Sequence, residues 1–191
     1  MSYRKFSLVL ALLMVQAFGA EISDDVIDEY GRYVGSAKLR MTAAEVEKAF
    51  GKPSRITKGN DKGGHYRESL DYPDHGMFFT FCATNKVQEV FRITVRKPFN
   101  GRVPKRVHTK TGYIVPELVL GKSTAKDVND RFSTSGFSHD GDFDTLHFSS
   151  LTFRFRGDRN NPKARFEEVR NNVIEEIAVG EEDSCDDYET P

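Results

Sequence analysis

Three aspartates, Asp140, Asp142 and Asp144, alternate along a short stretch flanked by His139 and His147. Alternation places carboxylates two residues apart on one side of an extended chain, and clustered oxygen ligands suit calcium. The stretch lacks the glycine and terminal glutamate of a calcium loop and leads into a strand, so a solvated turn is the expectation. A second set, Tyr66, Asp71, Asp74 and His75, has the residue types for acid–base chemistry, but nothing in its spacing demands a shared site. No phosphate loop, nucleophile elbow, H-E-x-x-H or C-x-x-C motif is present, and none of the five histidines pairs with another at ligand spacing. The chain therefore reads as non-enzymatic, with no cofactor and no metal assigned.

What remains is recognition, and one surface has the composition for it. If Phe79, Phe81, Phe153 and Phe155 face a core, then Phe78, Thr80 and Cys82 point the other way, as do Thr152, Arg154 and Arg156. Arg92, Thr94 and His147 join them from neighbouring strands. Arginine beside an exposed aromatic is the composition of an interface centre. The competing expectation is that Phe78 is covered by the other half of the chain or by an N-terminal helix, with the arginines simply solvated.

Those residues need elements to hold them. Thr42-Ala-Ala-Glu45-Val46-Glu-Lys-Ala-Phe50 recurs as Thr124-Ala-Lys-Asp127-Val128-Asn-Asp-Arg-Phe132, which reads as an internal duplication. In each copy a threonine precedes an acid by three residues, a capping box, and Val46/Phe50 or Val128/Phe132 then share one helical face. After each helix the apolar period switches to two. Leu70/Tyr72, Met77/Phe79/Phe81 and Phe91/Ile93/Val95 alternate in the first copy. Leu146/Phe148, Leu151/Phe153/Phe155 and Ile177/Val179 alternate in the second. The expected fold class is α+β: two tandem repeats, each a short helix packed on an antiparallel β-meander. The expected divisions are a signal peptide over 1–20, an N-terminal helix over 21–35, repeat 1 over 36–95, a basic linker over 96–111, repeat 2 over 112–180 and an acidic tail over 181–191. Ile22, Val26, Tyr30 and Tyr33 make the helical stripe behind a Ser23 cap that suggests the N-terminal helix.

Arg4 and Lys5, an apolar run over 6–17 and small residues at Ala17, Gly19 and Ala20 are laid out like a secretory signal peptide, too short for a good span. This predicts a periplasmic or secreted bacterial protein with no membrane span after cleavage. Cleavage removes two of the 28 basic residues and none of the 29 acids, giving a net charge of −3. That balance argues against nucleic-acid binding, which needs excess positive charge. Cys82 and Cys185 predict either one disulfide closing a loop of about 100 residues, worth about 4.7 kcal/mol in chain entropy, or a buried thiol at Cys82 with Cys185 loose in the tail.

The Thr-x-x-acid-Val-x-x-x-Phe helix, the Gly51-Lys-Pro-Ser54 stop and a meander rich in alternating aromatics together resemble the SmpA/OmlA (BamE) module of bacterial envelope lipoproteins. Two such units in tandem resemble the β-lactamase-inhibitor-protein fold. The resemblance covers about residues 36–95 and 115–179. It implies a sheet surface that binds another envelope or secreted protein, as an assembly accessory, inhibitor or immunity-type partner. The chain departs from both patterns, having no lipid-anchor cysteine and no disulfide within each unit. The alternative reading is a small periplasmic hydrolase or ligand-binding protein with its pocket between the two units.

Overall fold

The computed structural model describes residues 24–60, 66–82, 89–132, 136–140, 142–158, 161 and 165–180, with the backbone alone for Asn60, Cys82 and Asp140. In chain order the elements are β1 (Tyr33–Val34), β2 (Ala37–Lys38), α1 (Ala43–Phe50), β3 (Arg55–Asn60), β4 (Tyr66–Tyr72), β5 (Met77–Cys82), β6 (Val90–Arg96) and β7 (Arg102–Val103). They continue as β8 (Arg106–Val107), β9 (Ile114–Val115), β10 (Leu118–Val119), α2 (Ala125–Phe132), β11 (Gly136–Asp140), β12 (Phe143–Phe148), β13 (Leu151–Arg156), α3 (Phe166–Val169) and β14 (Ile174–Gly180).

Both longer helices begin on a reciprocal cap. Thr42 Oγ1 accepts from the Glu45 backbone N–H at 3.3 Å, while Glu45 Oε2 accepts from the Thr42 N–H at 2.8 Å. The box closes equally well in α2, where Asp127 Oδ2 lies 2.7 Å from the Thr124 N–H. The shorter aspartate reaches the cap as well as the glutamate does, with the Asp127 N–H 3.3 Å from Thr124 Oγ1. Eight-residue helices are marginal alone, so each depends on its apolar side. Val46 and Val128 are fully buried, and the rings of Phe50 and Phe132 lie 5.3 Å from Phe79 and 5.7 Å from Phe153. Thr124→Ala removes the second cap and is expected to cost about 1 kcal/mol, read as a lowered denaturation midpoint with unchanged slope.

The expected α+β tandem repeat is not what forms. Strands make up 49% of the described residues and helices 15%, and eight strands join in one antiparallel sheet of order β11-β12-β13-β14-β6-β5-β4-β3. The join is β6 against β14, where Val95 pairs with Ile177 and Ile93 with Val179. Each strand satisfies an edge of the other, so no pair of separate units survives, and a single core cluster runs beneath the whole sheet. The period-two reading decides which residues enter that core. Phe79, Phe81, Phe153 and Phe155 are at most 1% exposed. Phe91 breaks the alternation because the β5–β6 register shifts between Thr80 and Phe81, and an extra residue there turns it away from its neighbours.

The N-terminal helix over 21–35 also needs correction. Among the described residues of that range there is a turn and the short strand β1, not a helix. Gly31 and Gly35 sit at φ 69° and 54°, and a Cβ on Gly31 would meet Ser150 at 2.5 Å, so this segment folds back against the β12–β13 turn. The residue that anchors it is Ile27, fully buried and outside the expected stripe. The basic segment over 96–111 is likewise not a loose linker. Val103 is fully buried, β7 pairs with β10, Arg102 reaches Asp25 at 2.8 Å and Arg106 reaches Glu29 at 3.2 Å. Residues 1–20, the segment over 83–88 and the acidic tail over 181–191 lie outside the described residues.

Candidate functional site

Side chains of paired antiparallel residues project to the same face, so the sheet register assigns faces without further assumption. One row crosses all eight strands: Arg55, Asp71, Phe78, Thr94, Ala178, Thr152, His147 and Gly136. At about 4.8 Å between strands this row is about 34 Å long. Thr80 and Arg92 pair in the row on one side; Arg96, Glu176 and Arg154 pair in the row on the other. Phe78, Thr80, Arg92, Thr94, His147, Thr152, Arg154 and Arg156 therefore occupy one continuous face, opposite the one that carries the helices.

The face is already organised. The Arg96 guanidinium stacks 4.1 Å from the centre of the Phe78 ring, so Phe78 is covered by its strand neighbour rather than by a helix or the other half of the chain. Arg154 lies 6.0 Å from the Phe143 ring and donates to Glu176 at 2.8 Å. Arg67 stacks at 5.2 Å on Phe91. Toward β11 the face turns polar. His147 Nδ1 lies 3.3 Å from Thr152 Oγ1, and its Nε2 lies 3.3 Å from both Ser138 Oγ and Thr145 Oγ1. Arg92 and Thr152 are buried, and Arg156, beside Glu175 at 3.2 Å, is the exposed member. Side chains held by stacking and ion pairs lose little entropy on binding, which favours a rigid docking surface. Arg96, Phe143 and Glu176 were missed by the sequence reading. The alternation Arg92, Thr94 points directly to Arg96, and assigning that residue to a linker hid it.

No family model, curated protein or solved structure matches this chain. The face must be read from its own chemistry. Six arginines (Arg55, Arg67, Arg92, Arg96, Arg154, Arg156) stand on it by register against three acids in the same rows, Asp71, Asp140 and Glu176. Two of the acids are paired with arginine: Arg55 lies 2.7 Å from Asp71, and Arg154 holds Glu176. The surplus is positive.

The other expected groups are dispersed. Asp71 lies on the open face, whereas His75 stacks at 5.9 Å on Phe50 of the helical side, so Tyr66, Asp71, Asp74 and His75 do not share a site. The aspartates over 140–144 also part. Asp142 is exposed in the turn, and Asp144 is fully buried on the inner face with His139 Nδ1 2.5 Å from its Oδ1. The expected solvated turn is wrong for Asp144, whose carboxyl is pushed above the ordinary aspartate range by burial, partly offset by His139. Among the described residues no group of three candidate ligands converges as a metal site. Cys82 pairs in register with Arg67; Cys185 lies outside the described residues, as does the geometry of any bridge between them. No helix among the described residues is long and apolar enough to cross a membrane.

A cleft of about 210 Å³ opens between the Val26–Tyr33 segment and Pro104–Arg106, with Tyr30, Tyr33 and Ile27 among its walls. It contains none of Asp71, His75 or His147. Next to it Arg131, its side chain 1% exposed, donates to the carbonyls of Pro104 at 2.8 Å and Pro116, and to Glu29 at 3.1 Å. Burial lowers its pKa, with Glu29 working in the opposite direction.

Proposed function

We propose that this is an exported protein-binding module that docks a partner protein on the open face of its eight-stranded sheet. The observation that carries the reading is the row of register-matched residues from Arg55 to Gly136, flanked by stacked arginine–phenylalanine pairs and backed by a single core. Large sheet faces whose centre combines arginine and aromatic residues have the make-up of interface hot spots. The surplus of arginine selects for a partner patch rich in carboxylates, which guanidinium groups bind in paired geometry. Export is supported by the layout of residues 1–20. The resemblance to envelope-assembly and inhibitor modules points to the same kind of partner, another envelope or secreted protein.

Arg154→Glu/Arg156→Glu reverses charge at one end of the face without touching the core. Partners recovered from envelope extract by the intact chain are expected to fall at least tenfold with the double variant, measured by quantitative mass spectrometry with the variant's thermal stability checked alongside. Equal recovery of every partner by both proteins would overturn the assignment of the face.

A further inference from the structure

We propose that the β8–β9 hairpin is an anchor for an anionic membrane surface, a basic ribbon with an apolar tip that settles into the headgroup layer of a bilayer. The hairpin forms a two-stranded sheet of its own and does not use the open face of the large sheet.

The ribbon is ordered without being covered. Arg106 pairs with Val115 and Val107 with Ile114. The turn closes through its own hydrogen bonds: the His108 N–H donates to the Tyr113 carbonyl at 2.8 Å, and the Gly112 N–H donates to the His108 carbonyl at 2.8 Å. Gly112 makes that turn at φ 66°. All residues from 105 to 114 are nevertheless exposed. A lone two-stranded hairpin is marginal in water, so this one needs fastening at its base. The buried Arg131 supplies it by donating to the carbonyls of Pro104 and Pro116, the two residues that bracket the ribbon. Arg106 is held in turn by Glu29 at 3.2 Å. A buried guanidinium thus fixes a ribbon whose outer residues face solvent.

The side chains select the partner. Val107, Tyr113 and Ile114 are 54%, 63% and 60% exposed, a concentration of large apolar groups that a folded chain does not leave in water without use. Register places Val107 and Ile114 on one face of the ribbon and Tyr113 on the other. A protein partner covers one face of a ribbon, whereas a tip apolar on both faces is matched by a medium that surrounds it. Three residue rises from Arg106 to Thr109 span about 10 Å, close to the depth at which interfacial segments rest in a bilayer. The amphipathic ring of tyrosine suits that boundary. Charge completes the match. No acid occurs between Glu89 and Glu117, and the ribbon carries Lys105, Arg106, His108 and Lys110. Arg106 answers Glu29, but among the described residues neither Lys105 nor Lys110 forms an ion pair. The whole chain has a net charge of −1, so attraction to a negative surface is local and turns the ribbon toward it.

The chain has no tryptophan, so Tyr113→Trp places a single reporter in the ribbon. The full chain is titrated at low salt with vesicles of phosphatidylcholine alone, or of phosphatidylcholine and phosphatidylserine in equal parts. With the mixed vesicles the Tyr113→Trp emission is expected to shift to the blue and to lose most of its quenching by acrylamide. Emission from Tyr66→Trp, exposed on the large sheet, is expected to stay unchanged. Each lysine near an anionic surface is worth about fivefold in partitioning, so Lys105→Gln/Lys110→Gln should weaken the Tyr113→Trp response about tenfold or more. Val107→Ser/Ile114→Ser should remove the blue shift. All four positions are exposed, and an unchanged thermal midpoint confirms that the variants fold. The apolar run over 6–17 is common to every sample, so the comparison between variants isolates the ribbon. Unchanged emission with the mixed vesicles, an equal shift with phosphatidylcholine alone, or a shift that both double variants retain would overturn the proposal. A shift produced by lipid-free envelope protein and not by vesicles would assign the ribbon to a protein partner and overturn it as well.

Discussion

His139→Ala is expected to lower the free energy of unfolding by about 1 to 3 kcal/mol, the cost of leaving the buried Asp144 carboxyl without its polar neighbour. Asp144 is fully buried, and neither carboxylate oxygen has a hydrogen-bond donor of acceptable geometry among the described residues. The His139 ring lies against it, with Nδ1 2.5 Å from Oδ1. Asp144→Asn tests the same site from the other side. The folded-state pKa of Asp144 is raised, so its contribution favours folding while the carboxyl is protonated and is lost as pH rises from the unfolded value, about 3.9, through the folded one. The denaturation midpoint of Asp144→Asn relative to the parent should therefore climb as pH increases across that window and then level off. A difference that is flat with pH, or that falls, would refute the buried-charge account.

Arg131→Met should cost about 3 kcal/mol, at the low end of the range for breaking a buried ion pair, because Glu29 keeps a second cation in Arg106 at 3.2 Å. The loss comes chiefly from the carbonyls of Pro104 and Pro116, which the guanidinium now satisfies and which methionine cannot. Methionine retains the length of the side chain, so packing changes little. Urea-induced unfolding gives the number. A change under about 1 kcal/mol would mean those carbonyls find water once the arginine is gone. The substitution tests whether the 103–116 segment is fastened to α2, which the expectation of a loose basic linker denied.

Much of the face could be read before any coordinates. Alternation along β5, β12 and β13 separates Phe79 from Phe78, Leu146 from His147 and Phe153 from Arg154, and the burial of the first of each pair follows the same division. The caps at Thr42 and Thr124 were equally visible, because a cap is a contract between residues three apart. The 24–35 segment misled because Val26, Tyr30 and Tyr33 match a helical stripe, while two glycines at positive φ turn the backbone the other way. A spacing pattern carries no information about which neighbours the backbone will meet, and here Gly31 packs against Ser150 while the Ile27 N–H donates to the Arg102 carbonyl and Tyr30 stays exposed.

The amino-acid order by itself determined the period of each strand, the starts of α1 and α2, the sign of each charged segment and the absence of familiar catalytic motifs, since all of these depend on residues a few positions apart. Tertiary structure alone decided that β6 meets β14, that Arg96 lands on Phe78, that Asp144 loses its water and that Arg131 lies beneath Glu29. Those contacts join residues up to 102 positions apart, as between Glu29 and Arg131. Their partners are chosen by which strand edges and buried polar groups can be satisfied together, a condition on the whole chain that no local window contains.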